Sequence, residues 1–213
     1  MRVLLILVSL FYVSFSSQNV SNTNELADEI SNYNLESIDT LVDIGCQNGE
    51  FSKELLLANP KLYLIMEDLK EYSYCDENGK NCKYYNTQEE INKVFLKKKY
   101  LNVFKNRYKF IAGTNDSIPL PTNSCKVILC RKTVHEFSNS VKMISELYRV
   151  LKKGGLLMIV EAEPKYPNQK DENCKHKYLT RVEVINLFKQ FKYLKVSAVY
   201  YKEGELNLFK YSK

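Results

Sequence analysis

The chain has 213 residues, 45% of them hydrophobic and 26% charged, and this balance excludes an intrinsically disordered protein. Its length suits one domain of ordinary size with a substantial core. The net charge of +6 comes from scattered lysines that do not alternate with aromatic residues, so no nucleic-acid partner is expected.

The amino-terminal residues follow the pattern of an export signal. Arg2 precedes an apolar stretch over 3–15, and serines cluster within 14–17. This pattern predicts a secretory signal peptide over 1–17 and a mature domain over 18–213 that is secreted or periplasmic. Because a membrane-spanning helix needs roughly 20 apolar residues, no stable membrane insertion of the mature chain is expected. The alternatives are an uncleaved amino-terminal membrane anchor and a buried first strand.

The mature part of the sequence alternates between helical and strand patterns. Helices are predicted where apolar residues recur every three or four positions, and strands where short apolar runs are bounded by turns. In chain order, the predicted elements are a helix over 24–35, a strand over 38–45, a helix over 50–60, a strand over 61–68, a helix over 88–104, strands over 108–113 and 125–130, a helix over 139–155, a strand over 156–161, a helix over 181–191 and a hairpin over 193–212.

Local signals set several of these boundaries. Thr87 with Glu90, and Thr180 with Glu183, have the spacing of capping boxes that open helices. Gly154 follows two lysines and suits the left-handed cap at the end of the fourth predicted helix.

The alternation of strands with helices predicts an α/β fold. We expect a Rossmann-like doubly wound sheet that is mostly parallel, with right-handed crossovers and helices on both faces. The terminal hairpin should add one antiparallel strand. No internal repeat divides the mature chain, so one domain is expected.

Six cysteines lie in the mature chain, and an exported protein permits disulfides. Cys75 and Cys82 bracket a polar turn in an insertion over about 71–86, and we predict that they form a bridge. Cys46 and Cys130 lie in or beside apolar strands and are predicted to be small buried residues. No metal site is expected, because the cysteine spacings are irregular and the chain has only two histidines to assist.

In a doubly wound sheet, ligands bind outside the carboxyl ends of the strands, at the point where the strand order reverses. The polar and glycine residues at the ends of the five predicted strands are Asp43, Gly45, Cys46, Gln47, Asn48 and Gly49; Glu67 and Asp68; Gly113, Thr114, Asn115 and Asp116; Arg131, Lys132, His135 and Glu136; and Glu161 and Glu163.

A glycine loop after the first strand and an acid after the second together indicate an adenosine-type ligand. Glycine permits a sharp turn and a close approach of the backbone to a ligand. A carboxylate can accept hydrogen bonds from both hydroxyls of a ribose. The purely structural alternative is a tight turn followed by a solvated acid.

The segment "VDIGCQNGEFS" resembles motif I of the class I S-adenosylmethionine-dependent methyltransferases. Two later segments, "IAGTNDSIPLPTNSCKVILC" and "SELYRVLKKGGLLMIVE", are similar to the family's third-to-fourth strand region and to its fifth strand with the preceding helix. The resemblance runs from Leu41 to the carboxyl terminus. It implies a methyltransferase that uses S-adenosyl-L-methionine as cofactor, with a small-molecule or protein acceptor that the sequence does not identify.

The resemblance also implies a role for each residue of the glycine loop. The residues that would wrap the methionine part of the cofactor are Gly45, Cys46, Gln47 and Gly49. Asp43 would orient the amino group of the cofactor.

Residues at the later strand ends complete the implied site. Asp68 would bind the ribose, while Thr114 and Asn115 would approach the adenine. Arg131, at the end of the fourth predicted strand, is assigned to the same cofactor-binding set.

The implied catalytic residues are His135 and Glu136, which would face the methyl group and the acceptor. An acceptor that must lose a proton needs a general base, and the ordinary pKa of histidine, about 6.5, suits that task. An exposed histidine at the entry of a helix is the structural alternative.

Two rival classes remain. A nicotinamide oxidoreductase would share the layout but favours G-x-G-x-x-G, whereas this loop reads G-C-Q-N-G. The second rival is a non-catalytic, degenerate methyltransferase-fold binding protein exported from the cytoplasm. Gln47 replaces a motif glycine, Thr114 and Lys126 stand where acids are common, and an exported enzyme would meet little of a cofactor made in the cytoplasm.

Overall fold

The computed structural model of the chain describes residues 25–73, 83–85, 87–95, 103–172, 174–201 and 204–213. The predicted signal peptide and the predicted Cys75–Cys82 bridge lie outside these ranges, so both stay predictions. Among the described residues, Cys46 and Cys130 are free and buried, which confirms their interpretation as small core residues.

Helices and strands alternate along the described chain. The helices are residues 25–31 (α1), Glu50–Ala58 (α2), Gln88–Phe95 (α3), Ser140–Val150 (α4) and Arg181–Leu187 (α5). The strands are Thr40–Ile44 (β1), Tyr63–Leu69 (β2), Glu71–Ser73 (β3), Lys83–Tyr85 (β4), Tyr108–Gly113 (β5), Cys125–Arg131 (β6), Leu151–Ala162 (β7), Lys192–Tyr201 (β8) and Gly204–Ser212 (β9). Short 3-10 turns cover Leu35–Ser37 and Val134–Glu136.

Seven strands form one sheet in the order β5-β2-β1-β6-β7-β9-β8. The pairs among β5, β2, β1, β6 and β7 are parallel, and β9 is antiparallel to both of its neighbours. This arrangement confirms the predicted Rossmann-like sheet with a terminal antiparallel hairpin. The strand order reverses at β1, so the carboxyl ends of β1, β2 and β6 border the expected ligand crevice.

The side chains of β6 alternate between two hydrophobic cores, one on each face of the sheet. Val127 and Leu129 belong to a core that contains side chains of α1, α2 and α3, whereas Ile128 and Cys130 belong to a core that contains side chains of α4 and α5. Successive strand residues point to opposite faces, so a continuous apolar run can supply both cores. Helices therefore cover both faces of the sheet, as predicted.

The helix predicted over 88–104 is shorter in the structure. Its described helical part ends at Phe95, and the chain forms turns over 103–106, with Asn106 at a φ of +60°. Phe104 is nevertheless fully buried, in edge-to-face contact with Phe95. The apolar pattern therefore identified a core residue correctly but placed it in the wrong kind of element.

The helix predicted over 139–155 ends at Val150. Leu151 is already the first residue of β7, where it pairs with Cys125 of β6, and the strand register shifts directly afterwards. Gly154 has the left-handed φ of +73° that a cap would need, but it lies in this irregular start of the strand.

The predicted cap at the start of α5 is confirmed. The Thr180 hydroxyl accepts a hydrogen bond from the Glu183 N–H, and the Glu183 carboxylate accepts one from the Thr180 N–H. At α3, the Thr87 hydroxyl accepts from the Glu90 N–H. Within the described part of the insertion, β3 and β4 pair as an antiparallel ladder. No helix in the residues that the structure describes is long and apolar enough to cross a membrane.

Candidate active site

The loop between β1 and α2 has three residues in left-handed conformations. The φ angles are +77° at Gly45, +48° at Gln47 and +80° at Gly49. The N–H groups of Gly45 and Cys46 donate to the Glu67 carbonyl, at 2.8 and 3.2 Å, which holds the start of the loop against β2. A left-handed φ favours glycine, so Gln47 occupies a position where its side chain strains the backbone.

The two loop glycines are required by protein packing. A Cβ atom at Gly45 would lie 2.2 Å from the Thr133 hydroxyl oxygen, and one at Gly49 would lie 2.9 Å from the Phe95 ring. The sequence interpretation attributed the glycines to close approach of a ligand. In the structure, each glycine gives room to a neighbouring side chain and supplies a positive φ.

Asp68, at the end of β2, is hydrogen-bonded to the glycine loop. Its Oδ2 accepts from the Gln47 N–H at 2.6 Å and its Oδ1 accepts from the Leu69 N–H at 2.7 Å. Burial raises the pKa of Asp68 to about 6, the two N–H bonds oppose this rise, and the charge of Glu136 adds to it. A carboxylate has about four acceptor positions, so two remain for a ligand.

Asp43 and Glu67 are two further acids near Asp68, and both are buried. Asp43 is 2% exposed and accepts from the Ser52 hydroxyl at 2.5 Å, so its carboxylate supports the start of α2. The expected role of Asp43 in orienting the amino group of the cofactor stays a prediction. The main cause of its pKa shift is burial, which raises the pKa of Asp43 to about 7.

Glu67 is 3% exposed and packs against Gly113, where a Cβ atom would lie 1.6 Å from the Glu67 Oε1. Burial raises the pKa of Glu67 to about 8, and the charges of Asp68 and Asp43 add to the rise. The crevice therefore has three acids whose protonated forms the fold favours.

Thr114 and Asn115 follow β5, which lies next to β2 in the sheet. Both residues are exposed, and the Thr114 hydroxyl donates to the Asp116 carboxylate at 2.9 Å. The pairing of Asp68 with Ala112 brings this turn beside the end of β2. The predicted adenine-facing residues are thus at the same edge of the sheet as the predicted ribose acid.

Arg131 is engaged by the protein itself. Its Nε and Nη2 donate to the two carboxylate oxygens of Glu29 on α1, at 2.7 and 2.9 Å, and its guanidinium lies 4.1 Å from the centre of the Phe51 ring. The Tyr33 hydroxyl donates to the same carboxylate. These donors join α1 to the sheet, and the assignment of Arg131 to the cofactor-binding set stays a prediction.

His135 forms a buried dyad with Glu161. The Nδ1 of His135 lies 2.7 Å from the Glu161 Oε2, and the two side chains are 2% and 1% exposed. The Glu161 Oε1 accepts from the N–H groups of Thr133 and Val134, at 3.1 and 2.7 Å. This carboxylate therefore fixes both the 3-10 turn after β6 and the imidazole that the turn carries.

The second ring nitrogen of His135, Nε2, is buried and has no hydrogen-bond partner among the residues that the structure describes. The Glu136 Oε1 is 3.9 Å away, and the Tyr178 ring centre is 5.6 Å from the imidazole centre. Burial lowers the pKa of His135, but the hydrogen bond and charge of Glu161 more than offset this and leave the pKa raised. An imidazole whose Nδ1–H is held by a carboxylate presents Nε2 as its basic atom.

His135 also lines a cavity of about 440 Å³ between the 3-10 turn, α4 and α5. Its apolar lining includes Val134, Phe137, Leu179 and Leu187. The volume is within the range of small-molecule sites.

The structure thus joins Gln47 to Asp68 by a hydrogen bond, and it places Glu136 beside the His135–Glu161 dyad, with its Oε1 3.9 Å from the His135 Nε2. Sequence reasoning placed Glu161 at a strand end but gave it no role, although an acid closing a buried apolar run is itself a signal. Glu29 was missed, because nothing in an amphipathic helix pattern marks a charge that will be buried.

Residues 42–159 match the family described as "Methyltransferase domain", and this match covers more than half of the chain. Together with the strand order and the glycine loop, it places the chain in the family of class I S-adenosylmethionine-dependent methyltransferases.

The relatives of this chain agree with that assignment. A 53-residue segment is 40% identical to the uncharacterized methyltransferase YcgJ of Bacillus subtilis, a match that spans 25% of this chain and 21% of that protein. The YcgJ crystal structure has a TM-score of 0.61 at 16% identity, covering 90% of this chain and 98% of its own. A SAM-dependent methyltransferase from Aquifex aeolicus has a TM-score of 0.65 at 18% identity, with coverage of 92% and 96%. Human N-acetylserotonin methyltransferase, solved in complex with SAM, has a TM-score of 0.62 at 12% identity, with coverage of 92% and 53%.

Proposed function

We propose that the chain binds S-adenosyl-L-methionine across the carboxyl ends of β1 and β2 and transfers its methyl group to an acceptor beside His135. The observation that carries the proposal is the 2.6 Å hydrogen bond from the Gln47 N–H to Asp68. It joins the glycine loop to the acid that we propose accepts the ribose hydroxyls, and family membership supplies the cofactor class.

The charges of the crevice suit a cationic cofactor. Burial favours the protonated forms of Asp43, Glu67 and Asp68, and a bound cation would favour their ionised forms. The Asp68 carboxylate keeps two hydrogen-bond acceptor positions for the ribose. The Asp43 carboxylate accepts from the Ser52 hydroxyl and so supports the start of α2.

Bound S-adenosyl-L-methionine supplies a methyl group activated by its attachment to a sulfonium. The residues of this chain position the acceptor, exclude water and hold the proton that the acceptor releases. His135 Nε2 would accept that proton, and Glu161 would stabilise the resulting imidazolium through Nδ1. The cavity beside His135 has both apolar and polar lining residues, the latter including Ser140, Glu183 and Asn186, and it supports a small acceptor with an ionisable O–H or N–H group.

Calorimetric titration of the purified chain with S-adenosyl-L-methionine tests the proposal. We expect Asp68→Ala to weaken binding roughly ten- to a hundred-fold, about 1.5–3 kcal/mol, because it removes a charged hydrogen-bond acceptor. Asp68→Asn keeps an oxygen for the Gln47 N–H and should still bind more weakly than the wild type.

The matched control is Asp39→Ala, an exposed acid just before β1, at the opposite end of the strand. It should bind the cofactor as the wild type does. Equal affinities for all four proteins would contradict the placement of the ribose at Asp68. No detectable binding by the folded wild type would favour the alternative of a non-catalytic protein that retains the methyltransferase fold.

A further inference from the structure

We propose that His135, Glu136 and Cys174 form a binding site for a zinc-type divalent transition-metal ion. One ligand atom from each residue, an imidazole nitrogen, a carboxylate oxygen and a thiol sulfur, lies within 4.8 Å of the other two. The residues come from the turn after β6 and from the segment between β7 and α5. This inference goes beyond the proposed methyl transfer and does not depend on it.

The unpartnered nitrogen of His135 points to a ligand. Its side chain is 2% exposed, and its Nδ1 is hydrogen-bonded to Glu161, whereas within the described part of the chain its Nε2 has no hydrogen-bond partner. A buried polar atom without a partner is costly, and a metal ion would satisfy it. In metal sites, a histidine ligand usually donates its other ring N–H to a carboxylate. Glu161 already provides that carboxylate for His135.

The segment that carries Cys174 is folded back on itself by its own hydrogen bonds. The Asp171 Oδ1 accepts from the Cys174 N–H at 3.0 Å, and the Asp171 Oδ2 accepts from the Tyr178 hydroxyl at 2.7 Å. The Asp171 N–H donates to the His176 carbonyl at 2.9 Å. Cys174 therefore sits in an ordered turn, and a contraction of about 1 Å would bring the three ligand atoms to the spacing of a tetrahedral site with bonds of about 2.0–2.3 Å.

The donor set selects the kind of ion. Nitrogen and sulfur ligands with one carboxylate suit Zn²⁺ and its neighbours, whereas Mg²⁺ and Ca²⁺ prefer oxygen ligands. Three protein ligands would leave one position of a tetrahedral ion open to water or to another group. The sequence argued against such a site because the spacings are irregular, but folding brings together residues that no local motif connects.

An ion at this site would occupy the nitrogen that is proposed to accept a proton. Metal binding and general-base action at Nε2 exclude one another, so Zn²⁺ should inhibit a methyl transfer that needs the base. Cofactor binding at Asp68 should be unaffected, so calorimetry with S-adenosyl-L-methionine separates failure of the metal site from failure of the proposed function.

Equilibrium dialysis of the chelator-treated full chain against Zn²⁺ alone tests the proposal. We expect one tightly bound equivalent in the wild type and at least tenfold weaker binding in Cys174→Ser. Cys125→Ser is the matched control, because Cys125 is a buried free thiol at the end of β6 that is far from His135 and Glu136. This variant should bind Zn²⁺ as the wild type does. Equal binding by the two variants, or no stoichiometric binding by the wild type, would overturn the site.

Cobalt substitution of the wild type tests the ligand set without relying on a variant that could misfold. Bound Co²⁺ should show the strong visible absorption of a tetrahedral ion and a near-ultraviolet charge-transfer band from a thiolate. Loss of that band in Cys174→Ser, but not in Cys125→Ser, is the expected result. Cobalt bound without a thiolate band would overturn the assignment of Cys174 as a ligand.

Discussion

At the scale of single residues, Gln47 has the least favourable backbone conformation of the glycine loop. Its φ of +48° is the left-handed value that a non-glycine residue adopts at a cost of about 1–2 kcal/mol. The hydrogen bond from its N–H to Asp68 helps to offset this cost. The same contact connects the loop to the acid proposed to bind the ribose, so the strained position is also a structural link within the candidate site.

Replacing Gln47 by two small residues separates backbone strain from side-chain effects. Gln47→Gly should be more stable than Gln47→Ala by about 1 kcal/mol, because both lose the side chain but only glycine relieves the left-handed strain. Cofactor affinity of Gln47→Gly should equal or exceed that of the wild type. Denaturant unfolding and calorimetry measure the two quantities, and an alanine variant as stable as the glycine variant would contradict a left-handed residue 47.

At the scale of elements, α1 is joined to the sheet by a charge pair that the sequence did not indicate. Glu29 is 1% exposed. Both of its carboxylate oxygens accept hydrogen bonds from the guanidinium of Arg131, and one of them also accepts a hydrogen bond from the Tyr33 hydroxyl. Ile30 and Tyr33 are buried in the core on the same face. The first helix is therefore held against the sheet through both apolar and ionic contacts.

Breaking this pair should destabilise the protein strongly. Glu29→Gln or Arg131→Gln should each lower the free energy of unfolding by about 3 kcal/mol. This value is the lower end of the range for buried pairs, because the Arg131 side chain is still 19% exposed. The double variant should cost less than the sum of the two, because neither charge is then left alone.

Denaturant unfolding of the three variants measures the coupling between Glu29 and Arg131. Lys93→Gln, which breaks an exposed pair with Glu90, is the control and should leave stability unchanged. Strictly additive effects of the Glu29 and Arg131 changes would show that the two side chains do not interact.

At the scale of the whole molecule, the acids of the crevice make stability depend on pH. The pKa values of Asp43, Glu67 and Asp68 rise in the folded state to about 7, 8 and 6, from ordinary values of 3.8, 4.5 and 3.8. Burial is the first cause in each case. The folded chain therefore keeps protons that the unfolded chain releases between about pH 4 and 8, and its stability falls as the pH rises through that window.

The unfolding free energy, measured from pH 5 to 8, should show this decline. Each extra proton held by the folded state contributes a slope of up to about 1.4 kcal/mol per pH unit. Glu67→Gln should flatten the slope, whereas Glu36→Gln, at an exposed position in the turn before β1, should leave it unchanged. A stability that rises over this range would contradict the shifted acids.

Export concerns the part of the chain that precedes the described residues. We predict that cleavage of the signal peptide leaves a mature chain that begins near Ser17 or Gln18. Intact mass of the protein recovered from its own host measures this directly. A soluble protein that retains residues 1–15 would contradict export and remove the main objection to access to a cytoplasmic cofactor.

Local patterns in the sequence determined the elements and their order. Apolar runs of strand length, amphipathic helices and the Thr180–Glu183 box depend on residues a few positions apart, so they can be recognised without the fold. The order of the strands within the sheet was not predicted and comes from the structure. Helix ends were less well predicted: α4 stops at Val150 because Leu151 pairs with Cys125, a contact between segments far apart in the chain.

Only the tertiary structure decided what the charged residues do. The sequence placed Arg131 and Asp43 at the ends of strands, but their partners, Glu29 and Ser52, come from other elements. A carboxylate at a strand end can face a ligand, bind a helix or stay buried. Its neighbours in the folded chain determine which of these occurs, because desolvation makes an unpartnered charge costly. The pairing of His135 with Glu161 was likewise set by the packing of β6 against β7, which no sequence spacing expresses.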